Sequence, residues 1–178
     1  MGGRSVPVET KGLEPVPVSV SRTVRSELVF PNDANPQGNI FGGRVLMLMD
    51  VVGAIAARRH CRRQVVTAEI DSVDFIRPIR VGECIEVVAE VSAVGRTSME
   101  VEVRAYVEDL FSGAHATSAA AYLTYVAMDD GGRPTAVPPL LPETPEQEAR
   151  MRAASERRAE RLERRRRQKA GAGATDRV

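Results

Sequence analysis

The chain has 178 residues, which is enough for one domain of ordinary size with tails. Its net charge of +1 argues against a protein whose whole surface binds polyanions, and its two cysteines, Cys61 and Cys84, are too few for a disulfide framework. No apolar run resembles a signal peptide or reaches the ~20 residues that span a bilayer. We therefore expect a cytoplasmic protein that does not insert into membranes.

The first elements predicted are a strand, a turn-rich loop and one helix. Residues 1–20 contain three prolines and three glycines without a sustained period, so we expect a disordered leader. A strand is predicted over residues 21–30, and turn formers fill the loop at 31–39. The helix predicted from residue 42 to about residue 60 is apolar on every face over 45–57, which is typical of a core helix.

Four further strands are predicted after the helix, at residues 64–77, 83–94, 99–109 and 114–128. In the first of them the alternation of apolar and polar residues changes phase near Ser72, which indicates a bulge or a bend. The connections are short and contain glycine, so neighbouring strands should pair antiparallel. The sequence thus predicts an α+β fold in which one sheet wraps one helix. Because this leaves the other face partly uncovered, we also expect a dimer.

The C-terminal part of the chain differs in composition from the domain predicted at residues 21–130. Residues 131–142 are expected to form a Pro-rich linker, and residues 143–169 hold six glutamates against nine arginines and one lysine. Many Glu/Arg pairs at i,i+3 and i,i+4 spacing favour a helix. Few apolar residues occur there, so we expect residues 143–178 to form a charged, solvated helical tail that ends in disorder.

Asp50 is the residue that most strongly indicates chemistry. It is the only charged residue between Arg44 and Arg58, and an unpaired carboxylate in such apolar surroundings would cost several kcal/mol. Either it reacts with a substrate, or it is a buried group that holds a neighbouring backbone or a partner chain. At the helix start, Gly42 and Gly43 could present free N–H groups to an oxyanion, or they could form only a tight turn.

The spacing along the helix predicts that these two groups act from different protomers. Gly42 and Asp50 are eight residues apart, about 12 Å at the rise of an α-helix, which is beyond the reach of one side chain. A site that uses both would combine the helix start of one chain with the aspartate of another. Asn35, in the loop, could orient a carbonyl or a water, or it could serve only as an Asx-turn residue. His60 and His115 follow no metal or triad pattern, and no metal is expected.

An ordered set of motifs resembles one enzyme family. The set comprises the run PNDANPQGNIFGG at residues 31–43, the pair Met49-Asp50, and the stretches VVTA, FIRPI, VG and GRTSM at 65–68, 75–79, 81–82 and 95–99. Over roughly residues 20–130 these motifs closely resemble the hotdog-fold acyl-CoA thioester hydrolases of the bacterial YciA and mammalian brain-type group. The resemblance implies a five-stranded antiparallel sheet wrapped around one central helix, and homodimers that assemble as trimers of dimers.

The resemblance also implies a role for each motif residue. Asp50 matches the catalytic carboxylate and Asn35 the loop amide, contributed by opposite protomers. Gly42, Gly43 and Thr67 match substrate-binding groups, and the two glycine amides would polarise the thioester carbonyl. Three more residues match a loop associated with CoA binding, although they would equally suit a plain hairpin turn: Arg96, Thr97 and Ser98.

The activity that the resemblance implies is hydrolysis of acyl-CoA thioesters to free acid and CoA, without a cofactor. A thioester carbonyl is electrophilic and the CoA thiolate is a good leaving group, so no Ser-His-Asp triad is required. A carboxylate can act as general base toward water or attack directly to form an anhydride, and the sequence leaves both routes open. Phe41 stands where many hotdog thioesterases have histidine, but phenylalanine is usual in this group.

Three other functions suit parts of the sequence. A protein that binds acyl-CoA without cleaving it would not need both Asn35 and Asp50. A hydratase or dehydratase of the same fold needs an acid/base pair, typically with a histidine, and the loop contains none. The basic segment at residues 161–169 could hold phosphates, but it lacks interleaved aromatic residues, so we expect no specific nucleic-acid binding.

Overall fold

The computed structural model describes residues 12–175, apart from the side chains of 164–166 and 168–175. Its elements are β1 (Val16–Pro17), α1 (Val18–Ser21), β2 (Thr23–Leu28), a 3₁₀ turn (Pro31–Asp33), α2 (Gly42–Cys61), β3 (Gln64–Phe75), β4 (Cys84–Val94), β5 (Ser98–Glu108), β6 (His115–Met128), β7 (Leu140–Leu141) and α3 (Pro145–Thr175). The helix α2 and the five long strands, β2 to β6, lie within two residues of their predicted bounds. In this part of the chain no helix is long and apolar enough to cross a membrane.

The five long strands form one sheet in the order β2-β4-β5-β6-β3, and every neighbouring pair is antiparallel. One face of the sheet packs on α2, because alternate residues of the central strands point toward the helix. This confirms the predicted sheet around a single helix. The sheet contributes small and branched side chains to the core, and most of them are less than a few per cent exposed: Val87, Ala89 and Val91 of β4, Val101, Val103 and Ala105 of β5, and Ala119, Ala121 and Leu123 of β6.

β3 is an edge strand that bends. Its pairing with β6 shifts register between Thr67 and Glu69 and again between Asp71 and Asp74, and Ser72 has a positive φ of 31°. These irregularities confirm the bend predicted near Ser72. The opposite edge of β3 pairs with no strand among the described residues. Such an edge can accept a further strand.

The predicted domain boundaries need correction at both ends. β1 pairs in parallel with β7, Val18 is 3% exposed, and the Ser21 hydroxyl accepts a hydrogen bond from the Val91 amide at 3.0 Å. The prediction of a disordered leader at 1–20 is therefore wrong for residues 16–20, and residues 1–11 lie outside the described part. The linker predicted at 131–142 places Val137 and Leu140 in the core, because isolated apolar residues between prolines still gain from burial.

The C-terminal helix exists as predicted, but the prediction that it is solvated is wrong. α3 lies on the outer face of the sheet, where Ala154 is fully buried. Arg157 and Arg161 each reach the buried Glu100 carboxylate at 2.6 Å. A composition poor in apolar residues did not reveal this packing, because long-range charge pairs hold the helix down. The helix also continues through the Gly-Ala segment to residue 175, where disorder was expected; residues 176–178 lie outside the described part.

Candidate active site

Asp50 lies midway along α2 and is held at one carboxylate oxygen. Thr67 donates from Oγ1 to Asp50 Oδ1 at 2.8 Å. The Tyr125 hydroxyl lies 2.8 Å from the Asp50 carbonyl oxygen and 3.1 Å from Oδ1. Thr67 and Tyr125 are directly opposite in the pairing of β3 with β6, so their hydroxyls reach the helix side by side. No described residue hydrogen-bonds Oδ2, which leaves that oxygen for a substrate or a water.

Tyr125 was not predicted as a site residue. It is fully buried, and burial, followed by the negative charge of Asp50, raises its pKa above the ordinary value. The phenol therefore stays protonated and acts as a donor. Two signals in the sequence could have pointed to it: a tyrosine at a core position needs a partner for its hydroxyl, and Gly53 interrupts an otherwise well-packed apolar helix.

Asn35 lies in the loop before α2, where its amide oxygen is used locally. Asn35 Oδ1 accepts from the backbone amides of Gln37 at 3.0 Å and Asn39 at 3.1 Å, which is the Asx-turn role considered above. The Nδ2 group has no partner among the described residues, so it remains available as a donor. Arg44 ties this loop to the domain by contacting Asp33 at 3.0 Å and a carboxylate of β2 at 2.6 Å.

The start of α2 borders a cleft of about 370 Å³. Phe41 occupies the N-cap position, and no side chain caps the first turn. The first amides of a helix have no intrahelical acceptor, so those of Gly42 and Gly43 can bind an oxygen from outside. The Phe75 ring covers the first glycine so closely that a Cβ on Gly42 would lie 3.3 Å from Cζ. Asn35, Gly42 and Phe75 all line the cleft.

Within one chain the predicted site residues fall into three separate places. Asp50 and Thr67 form the first, and Asn35 with Gly42 and Gly43 forms the second, about 12 Å away along the helix. The third is the predicted CoA loop, residues 96–98. It is a tight turn whose backbone oxygens accept from Gly95, Ala127 and Val137. Its arginine side chain is exposed, and no hydrogen bond links the turn to Asp50 in the described part of the chain.

The histidines lie away from these places. His60 is buried, with Nε2 3.0 Å from the Pro138 carbonyl oxygen, and burial lowers its pKa. His115 stacks on Tyr106 and lies 3.2 Å from Glu86. Within residues 12–175, no group of three or more acidic, histidine or cysteine side chains is placed to hold a metal ion.

Comparison with known proteins places the chain in a family. Residues 37–111 match the thioesterase superfamily. A Bacillus subtilis protein named as an uncharacterized acyl-CoA thioester hydrolase is 40% identical over 154 residues, which cover 86% of this chain and 90% of that protein. This chain belongs to the acyl-CoA thioester hydrolases. The rat cytosolic acyl coenzyme A thioester hydrolase is another member, 35% identical over 139 residues; the match covers 77% of this chain and 36% of the rat protein.

Solved structures of the family share the fold. The Staphylococcus aureus acyl-CoA hydrolase, in complex with butyryl-CoA and CoA, superposes with a TM-score of 0.84 at 38% identity, over 89% of this chain and 97% of that one. A hexameric acyl-CoA thioesterase superposes with a TM-score of 0.83 at 41% identity, over 85% and 97% of the two chains. These matches confirm the hotdog fold. Three single-residue variants of the Staphylococcus aureus enzyme have also been solved, each with an alanine replacement. The replaced residues are an asparagine, an aspartate 15 positions after it and a threonine 17 positions after the aspartate.

Proposed function

We propose that this chain hydrolyses acyl-CoA thioesters at a site shared by two copies of the chain, with Asp50 as the reacting carboxylate. The observation that carries the proposal is the Asp50 carboxylate, held by Thr67 at Oδ1 while Oδ2 has no hydrogen-bond partner in the described part of the chain. The spacing of the residues replaced in the Staphylococcus aureus enzyme supports it. Asn35, Asp50 and Thr67 are separated by the same 15 and 17 positions.

The chemistry uses the middle of α2 in one copy, where Asp50 lies, and the start of α2 in a second copy. A water, or Oδ2 of Asp50 itself, attacks the thioester carbonyl, the C–S bond breaks, and CoA leaves as a thiolate. In the water route Asp50 takes the proton that the water loses, and the free acid forms directly. In the direct route the acyl group stays on Oδ2 as a mixed anhydride, which a water then hydrolyses to release the acid and restore the carboxylate. The amides of Gly42 and Gly43 and the Nδ2 group of Asn35, all from the second copy, would donate to the carbonyl oxygen as it gains charge. Donors of this kind contribute about 3–4 kcal/mol in other acyl-transfer enzymes.

A second copy has a natural place against α2 and β3. Met47, Val51 and Ile55 recur every four residues along α2 and are 49%, 38% and 40% exposed, although they lie on a core helix. They form an exposed apolar stripe on α2, and the outer edge of β3 pairs with no strand among the described residues. Thr67 and Phe75 lie toward opposite ends of that strand. If two β3 edges pair antiparallel, Thr67 and Asp50 of one copy approach the Phe75 and Gly42 end of the other.

Larger assembly, CoA binding and location belong to the same proposal. The hexameric relative supports a trimer of dimers. The exposed guanidinium of Arg96 is suited to a CoA phosphate, with the Thr97 and Ser98 hydroxyls as further donors. A cytosolic location agrees with the name of the rat relative. No cofactor enters this chemistry.

The activity is tested by thiol release from acyl-CoAs, from acetyl to palmitoyl. We expect wild-type protein to release CoA and the Asp50→Asn variant to release none above background while it retains its fold and oligomeric size. Asp130→Asn, the same chemical change in an exposed turn, should keep wild-type turnover. Unchanged CoA release by Asp50→Asn would refute the assignment.

The shared site is tested by mixing two inactive variants, Asp50→Asn and Asn35→Ala. If the two residues come from opposite copies, a mixed dimer contains one intact site and one doubly altered site. Random pairing at equal amounts makes half of the dimers mixed, so about a quarter of wild-type activity should return. If both residues serve a site within one copy, the mixture remains as inactive as its components.

A further inference from the structure

Tyr125 is bound to the same residue twice. Its hydroxyl lies within hydrogen-bond distance of both the carbonyl oxygen and Oδ1 of Asp50, at 2.8 and 3.1 Å. The side chain spans from β6 across the core to the middle of α2, and it is fully buried. A single hydroxyl proton shared between a main-chain and a side-chain oxygen of one residue restrains rotation of that side chain about its first torsion.

Gly53 makes this contact possible. It follows Asp50 by three residues, so both lie on the same face of α2. A Cβ at position 53 would lie 2.5 Å from the Tyr125 hydroxyl oxygen and 3.2 Å from two ring carbons. Any residue with a side chain there would push the phenol away from Asp50. Glycine in the middle of a helix costs about 1 kcal/mol relative to alanine, and at this position the close approach of Tyr125 accounts for it.

Packing alone does not explain a tyrosine at this position. Phenylalanine would fill nearly the same volume without a hydroxyl that needs a partner, and a buried hydroxyl without a partner is costly. The hydroxyl is therefore useful only through what it binds. Because the pKa of Tyr125 is raised by burial, the phenol keeps its proton and donates, and it is not suited to carry protons during a reaction.

We propose that Tyr125 is a positioning residue that, together with Thr67, fixes Oδ1 of Asp50 so that Oδ2 is the oxygen that reacts. The inference rests on the proposed thioester hydrolysis and deepens it. The two donors, from β3 and β6, occupy the lone pairs of Oδ1. Oδ2 is therefore directed away from these strands, toward the side of α2 where the second copy is expected. Gly53 has its part in the same arrangement by admitting the phenol.

The test is the Tyr125→Phe variant, compared with Tyr122→Phe as a matched control. Tyr122 is on the same strand, but its ring lies under the Arg157 guanidinium on the outer face of the sheet, away from Asp50. We expect Tyr125→Phe to lower kcat about ten-fold, with KM changed less than two-fold, because the lost contact orients a reacting group rather than binding substrate. Tyr122→Phe should keep the wild-type kcat. Equal kcat values in the two variants would overturn the inference.

A double-variant cycle separates positioning from a merely structural role. Thr67 and Tyr125 donate to the same oxygen, so either one partly holds the carboxylate when the other is removed. Thr67→Val combined with Tyr125→Phe should therefore lower kcat by more than the product of the single effects. A simple product would indicate independent structural effects and contradict the inference, and a smaller loss would contradict the mutual support expected of the two donors.

The Gly53→Ala variant provides an independent check, because it keeps the hydroxyl but displaces it. It should reproduce the fall in kcat seen for Tyr125→Phe, and wild-type kcat would count against the inference. Failure of the inference is distinguishable from failure of the proposed function. If wild-type protein cleaves no acyl-CoA, the proposed function is wrong. If wild-type protein is active, Asp50→Asn is inactive, and Tyr125→Phe keeps the wild-type kcat, then only the role of Tyr125 is wrong.

Discussion

The contact between α3 and the sheet gives the sharpest prediction about stability. The Glu100 side chain is 3% exposed and receives Arg157 and Arg161, each at 2.6 Å, with the Ser92 hydroxyl at 2.9 Å. Glu100→Gln keeps the shape and removes the charge. Two largely buried guanidinium groups then face a neutral amide, and Arg161 keeps a second carboxylate, that of Asp71 at 3.4 Å. Removing one partner of a buried ion pair typically costs about 3–5 kcal/mol. A loss of this size is a large fraction of the stability of one domain.

The expected change is measurable by calorimetry. In a chain of this size each kcal/mol shifts Tm by roughly 2–4 °C, so Glu100→Gln should lower Tm by roughly 6–20 °C. Protein concentration must be equal in all samples, because oligomers have concentration-dependent Tm values. The matched control is Glu163→Gln, which removes the same charge from a pair with Arg167 that is 52% and 79% exposed. That variant should stay close to wild type, because exposed pairs contribute little. Equal Tm values in the two variants would refute the clamping role of Glu100.

Two further predictions concern pH and the loop before α2. Burial lowers the pKa of His60, so as pH falls below about 6.5 the unfolded chain takes up the proton first and folding stability decreases. The loss of Tm between pH 7.5 and 5.5 should therefore be smaller in His60→Gln than in wild type. An equal loss of Tm in both proteins would contradict this. Arg44 links Asp33 in the Asn35 loop to Glu27 of β2. Arg44→Met should therefore raise KM for acyl-CoA several-fold. Arg25→Met, which breaks a more exposed pair with Glu27, should leave KM unchanged. Equal KM values in the two variants would disprove the role of Arg44 in holding the loop.

The core helix α2 and the five long strands could be predicted from the sequence to within two residues. Hydrophobic periodicity and glycine-bearing turns are local properties, and they determine where strands of this antiparallel sheet begin and end. The bend near Ser72 was visible as a change of phase. Asp50 was also identifiable, because a single charge in an apolar helix is anomalous wherever the helix packs.

Packing at the two ends of the domain could not be read in this way. Val18, Val137 and Leu140 are isolated apolar residues in segments rich in proline, and no period marks them as part of a core. The arginines of α3 suggested a solvated tail, because composition alone does not show that Glu100, more than fifty residues earlier, faces them from the sheet.

The sequence by itself determined the order of the elements, the core helix and the carboxylate within it. Only the tertiary structure decided how that carboxylate is held. Thr67 is 17 positions from Asp50 and Tyr125 is 75 positions away, and they meet at Oδ1 because the register of β3 with β6 places them opposite each other. Register depends on pairing across the whole sheet, so neighbouring residues in the chain carry little information about it.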